Sequence, residues 1–280
     1  MNLWRLTALY LVLRGLGEFL ASGGGLDARL RAGLSVHMTY AGLVMVFTLL
    51  LLGRALSSGE PRASRLFDGA VAAAGILAIG LSLTRNAYLG LTAGVTALVL
   101  AKRPRAALVL APLALALFLV APLSVRSRAL STFDPADETV RDRLAMWKAG
   151  ELMIRDHPWT GVGPGRVGPL YHEYRQPGFV MPRIGHLHDN LVHLAAETGI
   201  PSALFYLGFV GAFFAGAVRR LRQPGPDPLR PAVEGAVAAM TGLFVAGFFE
   251  YNFGDVEVLV PTLVLSVFPF VPSGGPRAAG

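Results

Sequence analysis

Seven stretches of this chain run without a single Asp, Glu, Lys or Arg: 36–53, 69–84, 86–101, 106–125, 202–218, 235–249 and 258–271. Runs of this kind constrain a fold more than any motif, because a helix of about 20 apolar residues is what crosses a bilayer. The shorter runs gain length from flanking residues and from Arg or Lys side chains that snorkel to the interface. An eighth segment, 1–21, carries Arg5, Arg14 and Glu18 and has no small-residue cleavage site behind an unbroken apolar core. It reads either as a further span or as a helix lying against the others with its charges inward. Composition agrees. Of 280 residues 53% are hydrophobic and 15% charged, against about 25% charged in soluble domains. The expected class is all-α: a polytopic membrane bundle of about seven or eight transmembrane helices.

The net charge of +7 then becomes a statement about topology, and nucleic acid is not expected as a partner. Arg54, Arg62 and Arg65 fall between the first two runs. Lys102, Arg103 and Arg105 follow the third, and Arg219, Arg220, Arg222 and Arg230 follow the fifth. Alternating spans put all of these on one side, with Arg277 of the tail, and the positive-inside rule makes that side cytoplasmic. Arg85, the acidic turn around Asp255 and Glu257, and the long segment 126–187 fall on the other. The expected organisation is membrane spans over 1–125, an extracytoplasmic loop over 126–187, further spans over 188–272 and a short polar tail, 273–280. There is no Cys, which excludes disulfides, thiolate catalysis and Cys-based metal sites.

Within the long loop, the pattern of Leu144, Trp147, Glu151 and Ile154 predicts an amphipathic helix over Glu138–Asp156, stopped by Pro158. Gly161, Gly163, Pro164, Gly165 and Gly168 then predict an irregular stretch. A nucleotide-loop reading of these glycines fails, since no strand precedes them and the lysine is missing.

Several polar residues are candidates for chemistry. Arg85 sits between two apolar runs, where an arginine is expensive and a functional reading is the default. Arg141 and Arg143 begin the loop helix. A guanidinium binds phosphate oxygens in bidentate fashion, although spacing alone favours a solvated helix face with Asp142 as a local partner. His186, His188, Asp189, Asn190 and His193 form the densest polar cluster, where the loop re-enters the membrane, and imidazole suits a general base near neutral pH. A metal site is not expected. His188 and His193 lack helical i, i+4 spacing, and His186 and His188 face one way only in extended chain. Glu250, Tyr251, Asn252, Asp255 and Glu257 combine acids with aromatics, as sugar sites and interfacial belts both do.

Taken in order, these segments resemble the O-antigen ligase and Wzy-type polymerase superfamily. The resemblance rests on 143–147 (RLAMW), 153–165 (MIRDHPWTGVGPG), Tyr171 and Tyr174, 186–190 (HLHDN) and 196–201 (AETGIP), preceded by 84–87 (TRNA) and 37–42 (HMTYAG) and followed by 249–255 (FEYNFGD). It implies a GT-C-like glycosyltransferase of the bacterial inner membrane with a periplasmic site. Such an enzyme moves an oligosaccharide from undecaprenyl diphosphate to an acceptor hydroxyl such as that of lipid A-core. The expected reaction is inverting and needs no cofactor and no metal. The family's His-[Asn/Ser/Gln]-x9-Gly pattern maps onto His188 and Gly199, with Asp189 departing at the second position. His188 is then the expected base. The family's two diphosphate-binding arginines map onto Arg85 and Arg143. Arg141, His186, Asn190, Glu250 and Asp255 are further candidates for contact with substrate. Members are usually longer, with more spans ahead of the motif at His37, so a short form, a fragment or a displaced start is expected. A polymerase of the same superfamily is the alternative. A non-enzymatic transporter is less favoured, because the candidate charges gather on one side of the membrane.

Overall fold

The computed structural model describes residues 3–23, 30–34, 36–102, 118–120, 123–131, 134, 136–175 and 184–272. Among these the structure is helical and contains no strand. In chain order the helices are α1 (Leu3–Ala21), α2 (His37–Ala55), α3 (Arg62–Leu81), α4 (Arg85–Lys102), α5 (Leu123–Leu130), α6 (Glu138–Asp156), α7 (Val167–Tyr174), α8 (Asn190–Thr198), α9 (Ile200–Leu221), α10 (Arg230–Ala246) and α11 (Val256–Ser266). Single 3₁₀ turns lie at Asn252–Gly254 and Phe268–Phe270.

α2 is the hub, with α3, α4 and α10 packed around it and α1 and α11 beside it. It is 78% buried by protein, while α3 and α9 are only 33% and 28% buried and turn large faces outward. Close approach depends on small residues, as is usual where lipid offers no hydrophobic drive. A Cβ on Gly53 of α2 would lie 2.4 Å from the Cα of Gly235 in α10. One on Gly90 of α4 would lie 2.6 Å from the carbonyl oxygen of Gly242. α1 turns one charge inward: Arg5 donates two hydrogen bonds to the carboxylate of Asp68 in α3, at 2.5 and 2.7 Å. Arg54 donates a third to the same fully buried acid.

Among the described residues three helices are long and apolar enough to cross a membrane: α2, α3 and α9. α4 and α10, built on two further charge-free runs, have 18 and 17 residues. α11 is shorter still and continues into the turn at Phe268–Phe270. The run 106–125 lies largely outside the described residues, as do Phe179, Arg183 and the tail 273–280. The bundle has two distinct ends. Arg65, Lys102 and Arg230 share a cleft at one end. The N-termini of α2, α4 and α11 and the C-terminus of α10 meet at the other.

The loop helix α6 has the bounds its sequence predicts. Asp137 caps it by accepting a hydrogen bond from the Val140 N–H, Glu138 lies in its first turn and Arg155 in its last, each with the sign the helix dipole favours. Its buried face is shifted from the expected one. Ala145, Met146, Ala149, Gly150 and Met153 face inward, and Leu144 is 51% exposed. The small residues win because α8 lies close enough for a Cβ on Gly150 to meet the Val192 side chain at 2.6 Å. Met146, Ala149 and Met153 pack with Val167, Tyr171, Leu187 and Ala196 into a small core separate from the bundle. α7 supplies two of those residues and was not evident among the glycines before it.

Candidate active site

The fully buried side chain of Leu187 fills the loop core. Its neighbours His186 and His188 therefore turn the other way, with their rings 4.3 Å apart. His188 takes φ = 53°, a left-handed conformation that costs a non-glycine residue about 1–3 kcal/mol. The flanking residues hold it there. Asp189 caps α8, accepting from the Val192 N–H at 2.9 Å. The amide of Asn190 donates to Asn252 and to the Tyr206 hydroxyl and accepts from the Phe253 N–H, while its backbone N–H donates to the carbonyl of Gly247. Asn190 thus latches the loop to the turn between α10 and α11 and lies behind the cavities described below.

That turn carries Glu250, which is 6% exposed. One carboxylate oxygen lies 3.0 Å from Nδ1 of His188 and the other 3.4 Å from Nε2 of His186. Burial alone would raise the Glu250 carboxyl. The hydrogen bond from His188, with the charges of His188, His186 and Arg143, holds it below the usual range instead. Burial lowers His186, Glu250 opposing and His188 and Arg143 adding to the shift.

Arg85 opens α4 two residues after Leu83, another non-glycine residue with positive φ, 51°. Its guanidinium is nearly buried, pairs with Asp137 at 3.1 Å and donates to Ser131 at 3.1 Å. Asp137 consequently sits below the ordinary carboxylate range, the hydrogen bond and charge of Arg85 outweighing burial. Arg85, Arg143 and His188 line one cavity of about 220 Å³, together with His37, Thr84, Asn86 and Asp142.

A second cavity of about 360 Å³ adjoins the first, sharing Met38 and Asn86. Glu250, His186 and Asp255 line it, as do Thr39, His193, Glu197 and Tyr251. Asp255 caps α11 and accepts a hydrogen bond from Thr39. Burial, reinforced by Glu257, raises it to about 6. His193 stacks on Tyr251 with ring centres 3.8 Å apart. Arg141 lies apart from both cavities, on the exposed face of α6.

Residues 70–207 match the O-antigen ligase family. The chain belongs to the O-antigen ligase and Wzy superfamily. No curated protein matches it. The O-antigen ligase match takes in Arg85, Arg143 and His188 and stops short of Glu250. Membership carries the general class, an integral membrane enzyme that transfers glycan from lipid-linked substrates.

The geometry gives the superfamily's His-x-x9-Gly spacing a physical meaning. It is the length of α8, from its cap at Asp189 to its end at Gly199. Gly199 has φ = 91°, and a Cβ there would lie 2.3 Å from the carbonyl oxygen of Trp159. Asp189 is a change within the helix-capping set, where Asp, Asn and Ser are near equals. Three contributors escaped the sequence reading. Asp137 was visible only as a polar residue ahead of α6, Thr39 only as part of the segment at His37, and Glu197 only beside Gly199.

Proposed function

We propose that this chain is an O-antigen ligase-like glycosyltransferase. It moves an oligosaccharide from undecaprenyl diphosphate to an acceptor hydroxyl, that of lipid A-core, with inversion at the anomeric carbon. The observation that carries this reading is the single cavity shared by Arg85, Arg143 and His188. The grouping of Arg65, Lys102 and Arg230 at the opposite end supports a cytoplasmic side there and a periplasmic site. About seven or eight spans, with 126–187 as the periplasmic loop, remain the topology we favour.

In this reading, Arg85 and Arg143 hold the diphosphate. Arg85 keeps further N–H donors beyond the two engaged by Ser131 and Asp137. Glu250 accepts the Nδ1 proton of His188 and leaves Nε2 bare. The acceptor hydroxyl attacks the anomeric carbon and passes its proton to Nε2. The bond from that carbon to the phosphate oxygen breaks, its electron pair stays on undecaprenyl diphosphate, and the two guanidinium groups stabilise the charge that develops there. The leaving group is already good, so the step asks nothing of a metal. The 360 Å³ cavity beside Glu250 is the natural place for the acceptor sugar.

The test is transfer in vitro with purified protein, lipid-linked oligosaccharide and either lipid A-core or a second lipid-linked repeat unit. Transfer to lipid A-core, abolished by His188→Ala in protein that still inserts, is the expected result. Chain growth on the second repeat unit alone would make the enzyme a polymerase. Undiminished turnover by His188→Ala would end the general-base assignment.

A further inference from the structure

Sequence spacing argued against a metal, because no two histidines stand at ligand spacing on one helix. The fold supplies what spacing does not. Leu187 turns the His186 and His188 rings to one side, and Glu250 arrives from the far end of the chain. Each of the three offers a ligand atom, and these atoms lie within 4.8 Å of one another. Nε2 of His186 lies 3.4 Å from one carboxylate oxygen of Glu250, and Nδ1 of His188 lies 3.0 Å from the other. Zinc bonds of about 2.0–2.2 Å arranged tetrahedrally set ligand atoms roughly 3.4 Å apart. Imidazole nitrogen with one carboxylate is a donor set for zinc or its transition-metal neighbours, not for magnesium or calcium.

We propose that His186, His188 and Glu250 form a binding site for Zn²⁺, and that its occupancy silences transfer. Nε2 of His186, Nδ1 of His188 and the Glu250 carboxylate supply three ligands. The adjoining cavity, which His186 and Glu250 line, leaves the fourth position open to water. Coordination through Nδ1 obliges neutral His188 to carry its proton on Nε2. That is the nitrogen that must be bare to take the proton of the acceptor, so metal and catalysis select opposite tautomers. Zinc also exchanges one existing contact. The His188 N–H reaches Nδ1 of His186 at 3.4 Å, and that nitrogen takes up a proton when Nε2 binds metal. The bond is at the long limit of hydrogen bonding, so little opposes its loss. The binding half of this proposal rests on geometry alone, and the silencing half rests on the transferase reading.

The experiment uses the full chain purified in detergent and stripped with chelator. Calorimetric titration with ZnCl₂ is expected to show one zinc per chain, with Mg²⁺ giving no signal at the same concentration. Co²⁺ in its place should give the visible spectrum of a tetrahedral nitrogen and oxygen site. His186→Gln and Glu250→Gln, each first shown to keep the wild-type helical spectrum, should weaken zinc binding at least 100-fold. His172→Gln, an exposed histidine elsewhere in the loop, should not. Absence of stoichiometric binding to the wild type, or binding that both site variants retain, would overturn the site. In the transfer assay, zinc should stop the reaction and chelator should restore it. Full-rate transfer by zinc-loaded protein would overturn the silencing. Zinc binding is read without any sugar, so a failure of the transferase reading leaves that result standing by itself.

Discussion

Nδ1 of His188 lies 3.0 Å from a carboxylate oxygen of Glu250, a residue 62 positions further along the chain. An acid placed there fixes the imidazole tautomer and stabilises the imidazolium that forms when the ring accepts a proton.

Glu250→Gln tests that relationship. The substitution keeps the shape but offers an amide that no longer demands the Nδ1 proton. Where an acid orients a catalytic histidine, the same change lowers kcat by about 10⁴-fold. Here a fall of about 10²- to 10⁴-fold is expected, with KM for the lipid-linked donor nearly unchanged because Arg85 and Arg143 remain. Steady-state kinetics over a range of donor concentrations separates the two. A rise in KM at constant kcat would make Glu250 a substrate contact instead.

Arg85→Lys keeps the charge and loses the fork. One ammonium cannot reach Ser131, Asp137 and a diphosphate together, as the guanidinium is placed to do. The expected loss in kcat/KM is about 10- to 100-fold, with normal amounts of inserted protein. Activity equal to wild type would show that charge alone suffices.

Gly199→Ala lies outside both cavities and is nevertheless expected to abolish transfer. Its Cβ would meet the carbonyl of Trp159, and φ = 91° is itself unfavourable for alanine. We expect a loss of about 2–4 kcal/mol in loop stability. Hydrogen exchange in α6 and α8, compared between variant and wild type, measures it. Unchanged protection would remove the steric argument.

Acid should loosen the same region through His193. Burial, then the charges of His186 and His188, push it down to about 4, against about 6.5 in an unfolded chain. Between those values the unfolded state binds more protons. The stability tied to this group is therefore fully present above pH 6.5 and falls as the pH drops towards 4, by an order of 3 kcal/mol. Thermal unfolding at pH 7 and pH 4.5 should show the drop, and His193→Gln should reduce it. An identical pH dependence in the variant would assign the acid sensitivity to another group.

Much of this architecture was legible in the residues. The apolar runs mark the helices of the bundle, and Asp137 through Asp156 contains both the cap and the length of α6. Arg85, Arg143 and His188, which line one cavity, stood out as candidates because each belongs to a local segment with its own pattern. Glu250 was a candidate, but its partnership with His188 was not readable. A contact across 62 residues leaves no periodic trace, and it depends on where α10 stops. The face of α6 was misjudged for a similar reason. Leu144 is the more hydrophobic residue, but Gly150 and Ala149 allow the closer approach of α8, and packing distance decided the rotation. Arg141 shares the chemistry of Arg143 and sits two positions away, on the wrong side of a helix.

Leu187 joins two things that are usually separable. Its side chain belongs to the core of the loop, and its backbone carries the two histidines of the site. Any excursion that opens that small core must also withdraw His186 and His188 from Glu250. The loop and the chemistry therefore form one cooperative unit, and its smaller core is expected to open at a lower free energy than the bundle. Mild heat or protease should disarm the enzyme in a single step while its membrane helices remain folded.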